Sequence, residues 1–217
     1  VLALRDAGLT PRAALAGVVA GWSSAHGVDP RRLGPLGCPD PDEGAVRVDD
    51  TSGELAPDDL GALHQALLDD DHRRRRGVHY TSAQVADAVV ALALEQWDQA
   101  GGGPPVHVLD PACGGGAFLL AAARALQRRG VSVRDVPGRL HGIDLDPLAV
   151  DVAVASLAMW AVVEGGAEAW SAEGMFDGIP DGDLVVADAL DPATCWGTAS
   201  AAPHVIVGNP PFAGQLA

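Results

Sequence analysis

The stretch at residues 106–120, which reads VHVLDPACGGGAFLL, decides the fold of this chain. Its opening apolar residues predict a short buried strand, and the glycines and prolines upstream mark where that strand begins. Asp110 ends the strand, and Gly114-Gly115-Gly116 permit a tight turn in which no Cβ keeps the backbone from a ligand. Residues 117–129 predict an apolar helix that Gly130 stops. Together these features predict a nucleotide-binding corner of an α/β sheet, with ligand at the carboxyl end of the strand.

The loop lacks the residues of two common nucleotide sites. A phosphate-binding loop needs a lysine, and all 14 basic residues of this chain are arginine. A dinucleotide fingerprint beginning at Gly114 would need a small residue at position 119, where Leu119 stands. The remaining pattern, D-P-A-C-G-G-G-A-F-L, resembles the first motif of S-adenosylmethionine (AdoMet) methyltransferases in the form D-P-A-C-G-S-G-x-F-L, typical of N6-adenine DNA methyltransferases. Gly115 replaces the usual serine, and a glycine loop that merely turns is the alternative.

By this resemblance, five residues of the loop are candidates for cofactor binding. They are Asp110, Ala112, Cys113, Gly114 and Gly116.

Composition indicates a globular chain. With 217 residues, 48% of them apolar, the chain can bury a proper core. No run of eighteen apolar residues is free of charge and glycine, so we expect no membrane span. The three cysteines, Cys38, Cys113 and Cys195, are widely spaced and form no C-x-x-C pair, which favours a reducing cytoplasm and no zinc site; we expect no metal ligands. The chain begins with Val1, which leaves its natural start open.

The net charge of −15 bears on the substrate. Proteins that grip DNA neutralise phosphates with basic residues, so such an acidic chain is unusual among them. Either the surface that grips DNA lies on a part of the protein not present here, or DNA is not the substrate. The sequence leaves both interpretations open.

Residues 1–72 predict a helical and loop region that precedes an AdoMet-binding domain over residues 73–217. A helix is expected around residues 11–22, with Thr10 as its N-cap and Pro11 at its first position. The segment at residues 29–52 is rich in proline, glycine and aspartate and predicts a loop. A second helix at residues 57–68 places four leucines on one face: Leu60, Leu63, Leu67 and Leu68.

Four arginines, residues 73–76, lead into G-V-H-Y-T-S and then an amphipathic helix at residues 84–98. Thr81 or Ser82 is expected to cap that helix. On their own the arginines indicate a solvated charge run. The whole element resembles the cofactor motif that precedes the glycine loop in this methyltransferase family, where Y-Y-T-P is more usual. The resemblance implies that Tyr80 and Thr81 contact the methionine end of AdoMet, Thr81 through its hydroxyl.

A second strand is predicted at residues 140–143, and it ends in Asp144-Leu145-Asp146-Pro147. A carboxylate in that place can accept hydrogens from both ribose hydroxyls, which makes Asp144 the candidate. The family pattern G-I-D-x-D-P agrees, with Leu145 against the adenine. Asp146 is expected to cap the next helix, at residues 148–164, where Pro147 takes the first position. That helix is apolar nearly all round and should pack on the sheet.

A third strand is predicted at residues 183–187, followed by Asp188. The family resemblance implies that Asp188 accepts a hydrogen bond from the amino group of the cofactor adenine. An aspartate that merely closes a turn is the alternative.

A fourth buried strand at residues 205–207 leads into Asn209-Pro210-Pro211-Phe212. The prolines hold the backbone rigid, so that an amide oxygen and a carbonyl can be aimed at one point. An exocyclic amine is a poor nucleophile, and accepting both its hydrogens at the Asn209 oxygen and the Pro210 carbonyl favours a nitrogen with an available lone pair. That nitrogen needs positioning rather than a general base. Phe212 would stack on a flipped base.

The resemblance to N6-adenine DNA methyltransferases covers roughly residues 60–216, with five motifs in order. It implies a class I, Rossmann-like AdoMet-binding sheet with helices on both faces, here truncated after the fourth strand. It also implies a DNA-recognition region beyond the present chain, a possible specificity or restriction subunit, and little or no methylation by this piece alone. Methyltransferases of protein glutamine and of guanine N2 in ribosomal RNA share N-P-P-[FY], and a catalytically silent piece is a further alternative.

Overall fold

The computed structural model describes residues 8–38, 54–68, 81–171, 183–194 and 202–210. Among them a parallel sheet is built from four strands: β1 (Val108–Asp110), β2 (Leu140–Asp144), β3 (Leu184–Val186) and β4 (Val205–Ile206). Their order across the sheet is β3-β2-β1-β4. Val108 lies opposite both Leu140 and Val205, so the carboxyl ends of the strands meet at one edge. This arrangement confirms the predicted α/β, Rossmann-like class.

Five α-helices lie in the described ranges: α1 (Pro11–His26), α2 (Pro57–Leu67), α3 (Ala83–Gln99), α4 (Ala117–Arg128) and α5 (Pro147–Ser171). Their ends follow from local chemistry. Thr10 accepts a hydrogen bond from the Ala13 N–H at 3.1 Å, as expected of an N-cap. Asp146 accepts one from the Leu148 N–H at 3.0 Å, which confirms its predicted capping role at α5.

Helix α3 departs from the predicted start. It begins one residue earlier than expected, and Ser82 holds the N-cap position without a side-chain hydrogen bond to the helix. Three apolar side chains on its inner face, Ala86, Val90 and Leu94, are buried. The packing of that face, rather than a capping hydroxyl, therefore fixes where α3 lies.

The helices α3, α4 and α5 form a layer on the sheet. The crossovers from β1 through α4 to β2, and from β2 through α5 to β3, both step in the same direction across the sheet. Right-handed crossovers therefore place α4 and α5 on the same face. Helix α3 packs along α4 and also contacts β4. A second helical layer, on the opposite face, stays a prediction.

Helix α5 is the central core helix. Its segment Pro147–Gly165 is long and apolar enough to cross a membrane by length and composition, but 67% of the most apolar window is buried inside the fold. It packs against β2 and β3 on one side and against α1, α2 and α4 on others. This confirms the prediction that an apolar helix packs on the sheet.

The N-terminal segments pack directly on the sheet domain. Arg12 on α1 forms an ion pair with Asp151 on α5 at 2.6 Å. The Trp22 ring is fully buried, and its Nε1 donates to the Leu55 carbonyl at 3.0 Å. Buried residues of all five helices belong to one hydrophobic core. The boundary expected between residues 72 and 73 stays a prediction.

Two predictions about local structure were wrong. Residues 29–38 were expected to be a loop, but they form two short 3₁₀ turns, Pro30–Leu33 and Pro35–Gly37, whose leucines are buried against the core. The prolines fix the φ angle at the start of each turn, and the leucines then pack into the hydrophobic core. The strand at β4 was expected to be buried throughout, yet Ile206 is 54% exposed. Alternate side chains of a strand point to opposite faces of the sheet, and among the described residues β4 lies at the edge of the sheet with only one of its faces covered.

Candidate cofactor and catalytic site

The glycine loop joins β1 to α4 and folds back over β2. Gly114 and Gly116 have φ angles of 51° and 89°, in the left-handed region that L side chains rarely adopt. The Cys113 N–H donates to the Ile143 carbonyl, and the Gly116 N–H donates to the Cys113 carbonyl, each at 2.9 Å. The loop is therefore pinned to β2 and shaped by its glycines, which leaves its backbone close to the space above the sheet.

Asp144, at the end of β2, holds the loop from the other side. Its Oδ2 accepts a hydrogen bond from the Gly114 N–H at 2.8 Å, and its Oδ1 accepts from the Asp146 N–H at 2.9 Å. Each carboxylate oxygen carries two acceptor positions, so one remains on each for a ligand's hydroxyls. Leu145, the next residue, is 65% exposed. The geometry is that of a preoriented, bidentate acceptor beside an exposed apolar side chain.

Asp110, at the end of β1, is completely buried. Its Oδ1 accepts from the Ala112 N–H at 3.0 Å, while its Oδ2 has no hydrogen-bond partner among the described residues. Burial raises the pKa of this carboxyl to about 7; the Asp144 charge adds to the rise and the Ala112 N–H opposes it. A Cβ built on Gly208 would lie 2.6 Å from Asp110 Oδ1, so the end of β4 rests directly on this carboxyl group.

Cys113 contributes to the framework of the loop. Its thiol is buried under β2, where a Cβ built on Gly142 would lie 3.2 Å from the sulfur. Burial, with the charges of Asp110 and Asp144, raises the pKa of the thiol well above its usual value. Both main-chain groups of Cys113 bond within the fold. A contact between Cys113 and the cofactor stays a prediction.

Asp188 lies beyond the end of β3. Since Asp144 pairs with Val186, Asp188 is placed two residues past the neighbouring strand end. Its Oδ1 accepts from the Leu190 N–H at 2.9 Å, which is the turn role that the sequence left open as the alternative. The Leu190 side chain is 88% exposed. A bond from Asp188 to an adenine amino group stays a prediction.

Asn209 reaches the site from β4. The Val207 N–H donates to the Leu109 carbonyl at 2.9 Å, so the chain keeps to the β1 edge up to Gly208. Asn209 and Pro210 are exposed just past this point. The Asn209 Nδ2 donates to Thr81 Oγ1 at 3.4 Å, which brings the expected catalytic and cofactor motifs together. Tyr80, Pro211 and Phe212 lie outside the described residues.

Two glycines at the site were not predicted. Gly61 in α2 lies against Gly115, and Gly208 lies against Asp110. A glycine inside a helix costs about 1 kcal/mol relative to alanine, and this cost was the available signal for Gly61. Gly208 carried no comparable signal, because its role depends on β4 lying beside β1.

The edge of the sheet gathers four carboxylates at the ends of three strands: Asp110, Asp144, Asp146 and Asp188. Acidic groups and exposed leucines favour a ligand that carries positive charge and an apolar ring, and they disfavour one rich in phosphate. Across the described ranges, no group of three or more His, Cys, Asp or Glu side chains is placed to hold a metal ion.

Comparison with known proteins agrees with this arrangement. A family model described as N-6 DNA Methylase matches residues 56–216, from the start of α2 through the segment that holds Asn209. No curated protein and no solved structure matches the chain. The match covers well over half of the 217 residues and confirms the family predicted from the motifs. The chain therefore belongs to the N-6 DNA Methylase family and is a methyltransferase of that family.

Proposed function

We propose that this chain carries the methyl-transferring part of an enzyme that moves a methyl group from AdoMet to the N6 amino group of adenine in DNA. The observation that carries the proposal is the hydrogen bond between Asn209 and Thr81, at the edge where Asp144 accepts from the glycine loop and keeps acceptor positions for a ligand. The amide that we propose to be catalytic thus lies beside the proposed cofactor site. Membership of the N-6 DNA Methylase family supports the same reaction.

The residues at the edge fit AdoMet. When bound, AdoMet supplies an electrophilic methyl on a sulfonium that departs as a neutral thioether. Asp144 would accept the ribose hydroxyls through its remaining acceptor positions, Leu145 would lie on the adenine, and Asp188 would accept from the adenine amino group. The unpartnered Oδ2 of Asp110 and the surrounding carboxylates favour the positive charges of the methionine end. Tyr80 and Thr81 would complete that end of the site.

The catalytic step then falls to Asn209 and Pro210. The Asn209 Oδ1 and the Pro210 carbonyl would accept the two hydrogens of the target amine and hold its nitrogen in line with the methyl group. Positive charge develops on that nitrogen during attack, and the two oxygens stabilise it. The proton released afterwards leaves to water. Pro211 would stiffen the turn, and Phe212 would stack on the flipped base.

DNA is the proposed macromolecular partner, held mainly by a recognition region outside this chain. Such a region would provide the basic surface that a chain of net charge −15 does not supply. We place the enzyme in a restriction-modification or phage-defence system of the cytoplasm, where a specificity or restriction subunit would join it. The motif order, cofactor residues before Asn209, supports a recognition region that follows.

One observation favours a second candidate. The net charge of −15 suits a protein acceptor better than a polyphosphate, which favours protein glutamine, whose methyltransferases share N-P-P-[FY]. Methyltransferases of guanine N2 in ribosomal RNA share the motif as well, but the charge does not favour them. The chemistry required of Asn209 is the same for each acceptor.

A labelling experiment separates these acceptors. The natural polypeptide that carries this sequence is incubated with methyl-labelled AdoMet and with DNA, RNA and protein in separate reactions. The proposal expects label in DNA, recovered as N6-methyladenine. Label recovered as methylglutamine in protein or N2-methylguanine in RNA would replace it with the second candidate, and no transfer to any acceptor would leave a silent cofactor-binding protein.

Two variants complete the test. Asn209→Ala should abolish transfer and leave AdoMet affinity nearly unchanged, because the amide acts on the target amine. Gln127→Ala is the matched control, since it removes an exposed amide on α4 that bonds only to Glu164 among the described residues. Loss of both transfer and binding in Asn209→Ala would assign that residue a structural role instead.

A further inference from the structure

We propose that Thr81 is a positioning residue for Asn209: its hydroxyl oxygen accepts an N–H of the Asn209 amide and thereby turns the amide oxygen toward the target amine. The inference rests on the proposed function and adds a role to a residue so far assigned only to the cofactor. It starts from a contact between two side chains that are 128 residues apart in sequence, Asn209 Nδ2 and Thr81 Oγ1 at 3.4 Å.

The main chain on both sides of this contact is held firmly. Thr81 is the neighbour of Ser82, the N-cap of α3, whose carbonyl accepts a hydrogen bond from the Ala86 N–H at 3.0 Å and closes the first turn. On the other side, Gly208 rests on the buried Asp110 carboxyl, where a Cβ would lie 2.6 Å from its oxygen. The backbone before Asn209 is therefore fixed, and what remains to be set is the rotation of its side-chain amide.

The chemistry decides which end of the amide must face Thr81. An asparagine side chain presents an acceptor oxygen on one side and two N–H donors on the other. The target amine offers its own hydrogens, so Asn209 can help it only by presenting oxygen. The N–H side must then face Thr81, and the Thr81 hydroxyl must accept. Within the described segments, Thr81 is the partner that the Asn209 side chain finds.

Accepting from Asn209 leaves the Thr81 hydroxyl hydrogen available. A hydroxyl carries one donor hydrogen and two acceptor positions, so Thr81 can donate to the methionine carboxylate while it accepts from Asn209. The opposite arrangement, with Thr81 donating to Asn209, would turn the amide N–H groups toward the amine and would also use up the hydrogen needed by the cofactor. One hydroxyl therefore connects cofactor occupancy to the orientation of the catalytic amide.

The experiment compares Thr81→Val with Thr81→Ser in the natural polypeptide. Valine keeps the shape of threonine and removes the acceptor, whereas serine keeps the hydroxyl. The single-turnover rate is measured with AdoMet and acceptor both saturating, and the dissociation constant of AdoMet is measured separately by calorimetry. We expect Thr81→Val to lower the saturated rate about tenfold to a hundredfold, as for a misoriented catalytic group, and Thr81→Ser to restore it to within about threefold.

Thr10→Val is the matched control. It makes the same chemical change at the cap of α1, where Thr10 bonds to the Ala13 N–H, so it should lower stability and leave the saturated rate unchanged. If Thr81→Val loses more thermal stability than Thr10→Val, then the saturated rate of Thr81→Ala, which also lacks the hydroxyl, is used to test the role of Thr81.

Three outcomes would overturn the inference. The first is weaker AdoMet binding by Thr81→Val with an unchanged saturated rate, which would confine Thr81 to the cofactor. The second is a Thr81→Ser rate as low as that of Thr81→Val, which would exclude the hydroxyl as the cause. The third is a wild-type protein that transfers methyl to no acceptor, and this outcome alone also removes the proposed function. Transfer to protein or RNA leaves the inference open to the same variants with that acceptor.

Discussion

Gly61 of α2 and Gly115 of the glycine loop lie backbone to backbone: a Cβ built on Gly115 would lie 2.8 Å from the Gly61 Cα, and one built on Gly61 would lie 3.2 Å from the Gly115 carbonyl oxygen. This approach explains why glycine stands where serine is usual in the motif, since no side chain fits between the two backbones. Helix α2 therefore supports the loop that is proposed to hold the cofactor, and the family match begins at this helix.

The contact predicts that Gly115→Ser destabilises the protein, although the motif that this loop resembles carries serine at that position. The new side chain would meet Gly61 and also Val152, whose Cγ1 would lie 3.1 Å from the added Cβ. Such overpacking costs about 1–3 kcal/mol, measurable as a lower free energy of unfolding in urea. Gly138→Ser is the control, because nothing lies within 4 Å of a Cβ there. Equal stability of the two variants would show that α2 does not touch the loop.

Arg124 on α4 ties three helices together. Its guanidinium lies 2.9 Å from Asp58 Oδ2 on α2 and 3.0 Å from Asp87 Oδ1 on α3, and its own side chain is 20% exposed. We expect Arg124→Met to lower the free energy of unfolding by about 1–2 kcal/mol, between the values for exposed and buried pairs. Arg31→Met, which removes an exposed pair with Asp29, should leave the free energy of unfolding nearly unchanged, because solvent screens that pair. If Arg124→Met lowers the free energy of unfolding no more than Arg31→Met does, the ion pairs of Arg124 do not stabilise the packing of the three helices.

Asp110 should make stability fall as pH rises. Its pKa is about 7 in the folded protein because the carboxyl is buried, against 3.8 as the ordinary value. The folded state therefore keeps a proton that the unfolded chain releases, and this contribution is full below about pH 4 and lost as pH rises through 7. Over that range the loss amounts to as much as about 4 kcal/mol.

The variant Asp110→Asn isolates this effect. It should remove the fall, so that the difference in unfolding free energy between variant and wild type grows with pH and levels off above about pH 8. Urea titrations without cofactor across that range provide the measurement. Asp135→Asn, at an exposed aspartate bonded to Ser132, is the control. A constant difference for Asp110→Asn would show that this carboxyl is ionised throughout.

His107, just before the amino end of β1, should have the opposite effect on the pH dependence of stability. Its ring Nδ1 lies 3.2 Å from His141 Nε2, and its main-chain N–H donates to His204 Nδ1 at 3.0 Å. Its pKa is lowered mainly by burial, and then by His141, His204 and Arg139, while Asp183 opposes the shift. The unfolded chain therefore takes up a proton at a higher pH than the folded protein, so stability present above about pH 6.5 is lost on acidification.

The variant His107→Asn, which takes up no proton, should weaken that loss between about pH 7 and pH 5. The same urea titrations measure it. His26→Asn, at a histidine that bonds to the Trp22 carbonyl on α1, is the control. An unaltered acid slope in His107→Asn would assign the acid sensitivity to other groups.

Local chemistry made much of the fold predictable. Thr10 and Asp146 were identified as caps because a capping bond spans only two or three residues. The location of the candidate site was predictable from the strand sequences, since the carboxyl ends of parallel strands meet at one edge of the sheet. The buried leucines of the 3₁₀ turns were not predicted, because proline and glycine dominate the local pattern while burial depends on distant partners.

The contacts that shape the site could not be read from the chain. The bond from Asn209 to Thr81 spans 128 residues, and the approach of Gly61 to Gly115 joins a helix to a loop. Both depend on how the elements pack, and sequence patterns describe each element singly. The exposure of Ile206 has the same origin, since it results from the place of β4 at the edge of the described sheet.

The parallel pairing of β4 with β1 also determines the order in which parts of the fold can form during synthesis. The two strands are 97 residues apart, so at about 5–20 residues per second β4 leaves the ribosome roughly 5–20 s after β1. The pairing of β1 with β2, the glycine loop and Asp144 do not require β4, so the cofactor end can form during that interval. Asn209 then joins a proposed cofactor site whose framework has already formed, and until it does the β1 edge stays open to other strands.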